Sequence, residues 1–225
     1  MLNLHRPSST MPSTKEQTDE HPIIFSGWSI RRILAAQKSQ TRRIVNPQPP
    51  GDVRSVMWDD MGGDWIDTVG FRSDPILWNE KCPYGKPGDV IWVRETFRVP
   101  SCYDGLSPSD YISGDRQYTV RYEANGEIYT TAPDEKGALE WGRKRSSIFM
   151  PRELCRLRLR VESVRVERLQ EISHHAAEAE GVRVCNPQET PRDLFRMKWN
   201  EIHGTGAWDE NPFVWCVEFS RIDTE

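Results

Sequence analysis

Apolar and polar positions alternate most strictly where Arg156, Leu157, Arg158, Leu159, Arg160 and Val161 follow one another. A period of two predicts a strand over 155–166 with one basic and one apolar face. The run Val90-Ile-Trp-Val-Arg-Glu-Thr-Phe97 reads as a second strand, placing Trp92, Arg94 and Thr96 on one face and Val93, Glu95 and Phe97 on the other. Apolar residues over 213–219 predict a closing strand, and 22–25 a first one. Helical spacing appears three times. Ile30, Ile33, Leu34 and the stem of Gln37 share a stripe behind the candidate cap Ser26. Ile172, Ala176, Ala177 and Ala179 follow between the candidate cap Ser173 and the stop Gly181. A third stripe over 193–202 carries Leu194, Phe195, Met197, Lys198 and Trp199. An Asn-Gly turn between 118–122 and 128–131 predicts a hairpin.

The pattern dissolves into prolines, glycines and isolated tryptophans over 46–80, and into turn-rich sequence over 98–147. Both stretches read as insertions into one domain spanning 22–225. Residues 1–21 lack apolar positions to bury and read as a disordered leader, with His5 and His21 inert. No internal repeat is visible.

Composition narrows the class. Mean hydropathy is -0.70, yet nine tryptophans supply the large apolar surfaces of a folded, soluble protein. No run approaches the roughly 18 apolar residues of a membrane span, and no signal peptide opens the chain, so a cytoplasmic protein is expected. Five widely spaced cysteines without a C-x-x-C pair make disulfides and structural zinc unexpected. The formal charge of -4 speaks against a generic nucleic-acid coat, although arginines crowd over 31–43 and 152–168.

The densest chemistry follows the first helix, in Lys38-Ser-Gln-Thr-Arg-Arg43. Lys38 and Thr41 have the spacing of a base and nucleophile if the turn folds them together, but spacing alone favours a solvated lysine and a threonine chosen for strand propensity. Glu180, ending a helix, reads alone as a solvent-facing carboxylate. Glu95, among apolar strand residues, needs an arginine partner if buried. His174 and His175 are adjacent on a helix, diverge, and make a poor metal pair.

The run Ala35-Ala-Gln-Lys-Ser-Gln-Thr-Arg-Arg43 resembles the signature of ASCH domains, and especially phage and prophage proteins bearing Lys-Thr-Gln-Thr-Arg-Arg. Lys86-Pro-Gly-Asp-Val-Ile-Trp-Val93, Leu169 to Val182 and Phe213 to Phe219 resemble further family segments in the same order, together covering about half the chain. Ala36 departs from the family, which often has glycine before the lysine. The resemblance implies an α+β fold: a PUA-like/ASCH mixed β-barrel with flanking short helices and two large insertions. It also implies the roles found in bacterial N4-acetylcytidine amidohydrolases: Lys38 as base, Thr41 as nucleophile and Glu180 as proton donor.

On that reading Arg43 holds the substrate or orients the carboxylate, Arg42 has surface or backbone duty, and Trp92, Arg94 and Glu95 join substrate binding. The expected substrate is an N-acylated nucleoside or base, with no metal and no cofactor. An oxyanion donor is expected, with Arg43 and a backbone amide of the turn both open. Trp58, Trp65, Trp78 and Trp141 either stack on a base or build a satellite core. Two alternatives remain: a PUA-like RNA/DNA-binding module with or without ribonuclease activity, using the arginine face of 155–166, and a non-catalytic phage interaction protein.

Overall fold

The computed structural model describes residues 18–48, 56–59, 64–67, 76–78, 82–114, 117–131 and 139–222. A larger sheet is built on β10 (Arg158–Arg168), which pairs antiparallel with both β11 (Phe213–Ile222) and β6 (Val90–Arg94). Outside these lie β1 (Glu20–Ile24), parallel to β6, and β2 (Gln40–Ile44), antiparallel to β11. β10 buries Leu159 and Val161 and then, after a bulge between Val161 and Ser163 shifts the alternation by one residue, Val164 and Val166. Beside them on the neighbouring strands, in the same core cluster, lie Ile91, Val93, Trp215, Val217 and Phe219, and each fully buried aliphatic side chain contributes about 1.5–3 kcal/mol.

The fold is mixed α+β, but the expected barrel does not close. Among the described residues no ladder joins β1 to β2. Side chains fill that seam: the Arg43 guanidinium reaches the Ile24 carbonyl at 2.5 Å and lies over the Phe25 ring. The other departures are local. The chain enters β1 at Glu20, so the last two residues assigned to the leader are strand, and His21 lies 3.4 Å from Asp89. Residues 1–17 of that assignment lie outside the described residues.

The 46–80 stretch contains three short strands, β3 (Val56–Asp59), β4 (Asp64–Asp67) and β5 (Ile76–Trp78), joined to β10 through Val56 opposite Val166. The side chains of Trp58, Trp65 and Trp78 lie outside the described residues. A second sheet comprises β7 (Phe97–Arg98), β8 (Thr119–Tyr122) and β9 (Ile128–Thr130), with the Asn-Gly turn between β8 and β9. Phe97, Val99, Tyr111, Val120, Tyr122, Met150 and Leu154 give it a core of its own. The short helix α2 (Pro108–Tyr111) supplies Tyr111, and Trp141 bridges to Pro100 at its border.

Three helices frame one end of the larger sheet. Helix α1 (Gly27–Leu34) is capped by the Ser26 hydroxyl, which accepts from Ser29 N, and buries Ile30 and Ile33. Helix α3 (His174–Ala179) is capped likewise by Ser173, with the preceding turn, 169–171, forming a separate 3-10 segment. Helix α4 (Pro191–His203) starts with a capping box between Thr190 and Asp193 and buries Phe195 and Trp199.

Candidate active site

The turn between α1 and β2 places the reactive cluster. After α1, Ala36 takes a left-handed φ of 54° and Gln37 N donates to Arg32 O at 2.8 Å, reversing the chain. Ser39 N donates to Ala179 O at 2.9 Å and pins this turn to the end of α3. There Glu180 ends the helix and Gly181 adopts φ 99°, the conformation that favours glycine. A Cβ at Gly181 would lie 3.2 Å from the Cβ atoms of both Arg32 and Lys38, so the absence of a side chain lets the two turns meet.

Their meeting buries Lys38 against Glu180. Lys38 Nζ donates to Glu180 Oε2 at 2.6 Å, to Glu180 O at 2.9 Å and to Gln40 O at 2.8 Å. These three acceptors satisfy the three protons of an ammonium. Burial is the largest influence on this lysine and pulls its pKa below the ordinary value, with Arg43 and Arg42 adding to the depression; Glu180 opposes them. Separating such a buried pair by removing one partner costs about 3–5 kcal/mol.

Arg42 departs from the surface role expected of it. Its side chain is fully buried, donating to Glu180 Oε1 at 3.1 Å, to Gln40 Oε1 at 2.7 Å and from Nε to Glu167 Oε1 at 2.9 Å. Glu167 also holds Arg165, which reaches Glu218 at 2.6 Å, and Gln40 donates to Glu218 at 2.8 Å. Arg42 therefore orients the Glu180 carboxylate, the task expected of Arg43. Glu180 is itself buried rather than solvent-facing. Consecutive arginines on a strand point to opposite faces, so the sequence named the right pair of positions without saying which faces α3.

Lys38, Thr41, Arg42, Arg43 and Glu180 line one cavity of about 320 Å³. Its walls include Phe25 ahead of α1, Trp28 on α1 and Phe195 and Trp199 from α4, while Thr96 and Ser147 reach it from the border of the second sheet. Of the further residues expected to bind substrate, Glu95 is sealed elsewhere. Buried in the link between β6 and β7, it accepts two bonds from Arg156, at 2.8 and 2.9 Å, and burial pushes its carboxyl upward against the pull of Arg156. Trp92 packs beneath Arg94, 5.5 Å from guanidinium to ring, and neither lines the cavity walls. Trp199, His203 and Lys198 do line them and were not singled out for the site. Their helical stripe signalled only packing.

Carboxylates occupy much of the arginine face of β10 and its approach. Arg156 meets Glu95 and Glu127, Arg158 meets Glu20, and Arg165 meets Glu167 and Glu218. The Cys82 and Cys216 thiols are buried and pushed up to about 12, which leaves them protonated and unreactive at neutral pH. Among the described residues no group of three or more His, Cys, Asp or Glu is placed to hold a metal, and no helix is long and apolar enough to cross a membrane. Comparison of the chain with protein-family models, with curated proteins and with solved structures gives no match.

Proposed function

We propose that this protein is an ASCH-type, PUA-like amidohydrolase that cleaves the acyl group from an N-acylated base or nucleoside of the N4-acetylcytidine kind. The observation that carries the reading is the convergence of Lys38, Thr41 and Glu180, from two segments far apart in sequence, on one small cavity. Its volume of about 320 Å³ suits a single small ligand, at the lower end of the usual range for such sites. The strand order β1-β6-β10-β11-β2, with α1 leading from β1 to β2, supports an ASCH-like barrel left open at one seam.

The 2.6 Å contact supplies the chemistry. Moving one proton from Lys38 Nζ to Glu180 Oε2 creates an amine and a carboxylic acid together, a base and an acid ready for use. Thr41 Oγ1 attacks the acyl carbon and gives its proton to Lys38. The C–N bond breaks, Glu180 protonates the leaving nitrogen, and the acyl group remains as an ester on Thr41. Lys38 and Glu180 are then an ammonium and a carboxylate. Water attacks the ester, passing a proton to Glu180, and Lys38 protonates the departing Thr41 oxygen. The acid leaves and the starting protonation returns.

The nucleic-acid-module alternative is less well supported, because carboxylates neutralise several arginines on the face it would use. Turnover tests the proposal: the purified protein releases acetate from N4-acetylcytidine, and Lys38→Ala and Thr41→Val each reduce kcat/KM by at least about a thousandfold while retaining the far-ultraviolet spectrum. Unchanged turnover in both variants contradicts it.

A further inference from the structure

Two guanidinium groups, that of Arg43 in the cavity wall and that of Arg94 on the strand next to Ile24, have no carboxylate partner among the described residues. Arg43 donates to the Ile24 carbonyl at 2.5 Å, and Arg94 donates to the Ile148 carbonyl. The same point on β1 lies between them, because Arg94 is also the register partner of Ile24 across β1 and β6. Ile24 and Thr96 line the cavity, and pairing across the ladder puts Arg94 on the same face as Ile24. Each guanidinium lies beside an aromatic ring, Arg43 at 5.2 Å from Phe25 and Arg94 at 5.5 Å from Trp92. In both, Nε is buried without a hydrogen-bond partner among the described residues.

Several other buried or half-buried arginines hold carboxylates, whereas Arg168 rests, like these two, on a backbone carbonyl and an aromatic ring. Arg42 holds Glu167 and Glu180, Arg156 holds Glu95, and Arg145 lies 3.7 Å from Asp104. The chain as a whole carries -4, so two cations left without carboxylates at one place are not the overflow of a basic protein. Lys198 also lines the cavity, with its charge held by Glu201. Glu180 is the one carboxylate among the described residues that line the cavity, and Lys38 and Arg42 already engage it.

The geometry points to a phosphate seat on Arg43 and Arg94, making the substrate a phosphorylated nucleoside whose acylated base enters the cavity. This deepens the amidohydrolase reading and rests on it for the base end alone. The planar forks of two guanidiniums match phosphate oxygens, and such charge-assisted bonds are stronger than neutral ones. A free nucleotide and a phosphodiester in RNA offer the same group.

The test compares kcat/KM of the full chain for N4-acetylcytidine, its 5′- and 3′-monophosphates, and an RNA trinucleotide carrying the same base. At least one phosphorylated form exceeds the nucleoside by roughly tenfold. That ratio falls toward one in Arg94→Gln and recovers in part in Arg94→Lys. A monophosphate as best substrate identifies a free nucleotide, and the trinucleotide identifies RNA. Equal values for all four overturn the phosphate seat while leaving the amidohydrolase intact. If none is hydrolysed, the amidohydrolase reading fails, and calorimetry with cytidine and its monophosphates judges the seat by itself. There the seat predicts roughly tenfold tighter binding of a monophosphate, weakened by salt, and equal affinities overturn it.

Discussion

At the scale of single residues, the site turns on where one proton rests between Lys38 and Glu180. Three acceptors around Nζ and the Arg42 guanidinium on Glu180 favour ammonium and carboxylate. Burial favours the neutral amine and lowers the lysine pKa. The proposed reaction needs the one proton shared by this pair, amine and acid arising together, so kcat/KM falls as pH rises along a limb whose midpoint lies below the ordinary 10.5. The same depression means that the unfolded chain binds more protons at this residue. Its contribution to stability therefore rises with pH from the lowered folded value up to 10.5. Kinetics across pH, with urea unfolding of wild type and Lys38→Met compared over the same range, measure both. A rate independent of pH below 10.5 contradicts the role of Lys38 as base.

At the scale of elements, two turns hold this pair together, and each depends on a left-handed residue. Gly181 has no room for a side chain beside Arg32 and Lys38. Gly181→Ala is expected to destabilise the protein by about 1–2 kcal/mol from backbone strain alone, and to lower turnover further by parting Glu180 from Lys38. Ala36 adopts φ 54° without being glycine, so Ala36→Gly relieves strain and costs little or nothing in the same assay. Urea unfolding of the two variants should give opposite or clearly unequal shifts, and equal losses contradict this account of the turns.

Caps and periods made much of this level legible from sequence. Ser26, Ser173 and the Asn-Gly hairpin stand where their chemistry places them, and β10 buries alternate residues on each side of its bulge. The strands over 56–78 were not legible, being three or four residues long and interrupted by turns. The burial of Arg42 and Glu180 was not legible either. It depends on α3 packing against β2, a contact between positions 138 residues apart in the Arg42–Glu180 bond.

At the scale of the whole molecule, an acidic chain concentrates cations at one cavity and neutralises many of them elsewhere. The larger sheet supplies β2 and its lysine turn, α3 supplies the carboxylate, α4 supplies an aromatic wall, and the border of the second sheet closes the mouth through Ser147. Sequence resemblance suggested which residues belong to the site. Only the folded arrangement shows that a carboxylate network through Glu167, Arg165 and Glu218 stands behind it. The most direct test of the central claim is to quench the protein during turnover of N4-acetylcytidine and map acetylated peptides by mass spectrometry. An acetyl ester is expected on Thr41, and it disappears in Thr41→Val along with acetate release. Acetate released at the wild-type rate by Thr41→Val would contradict it.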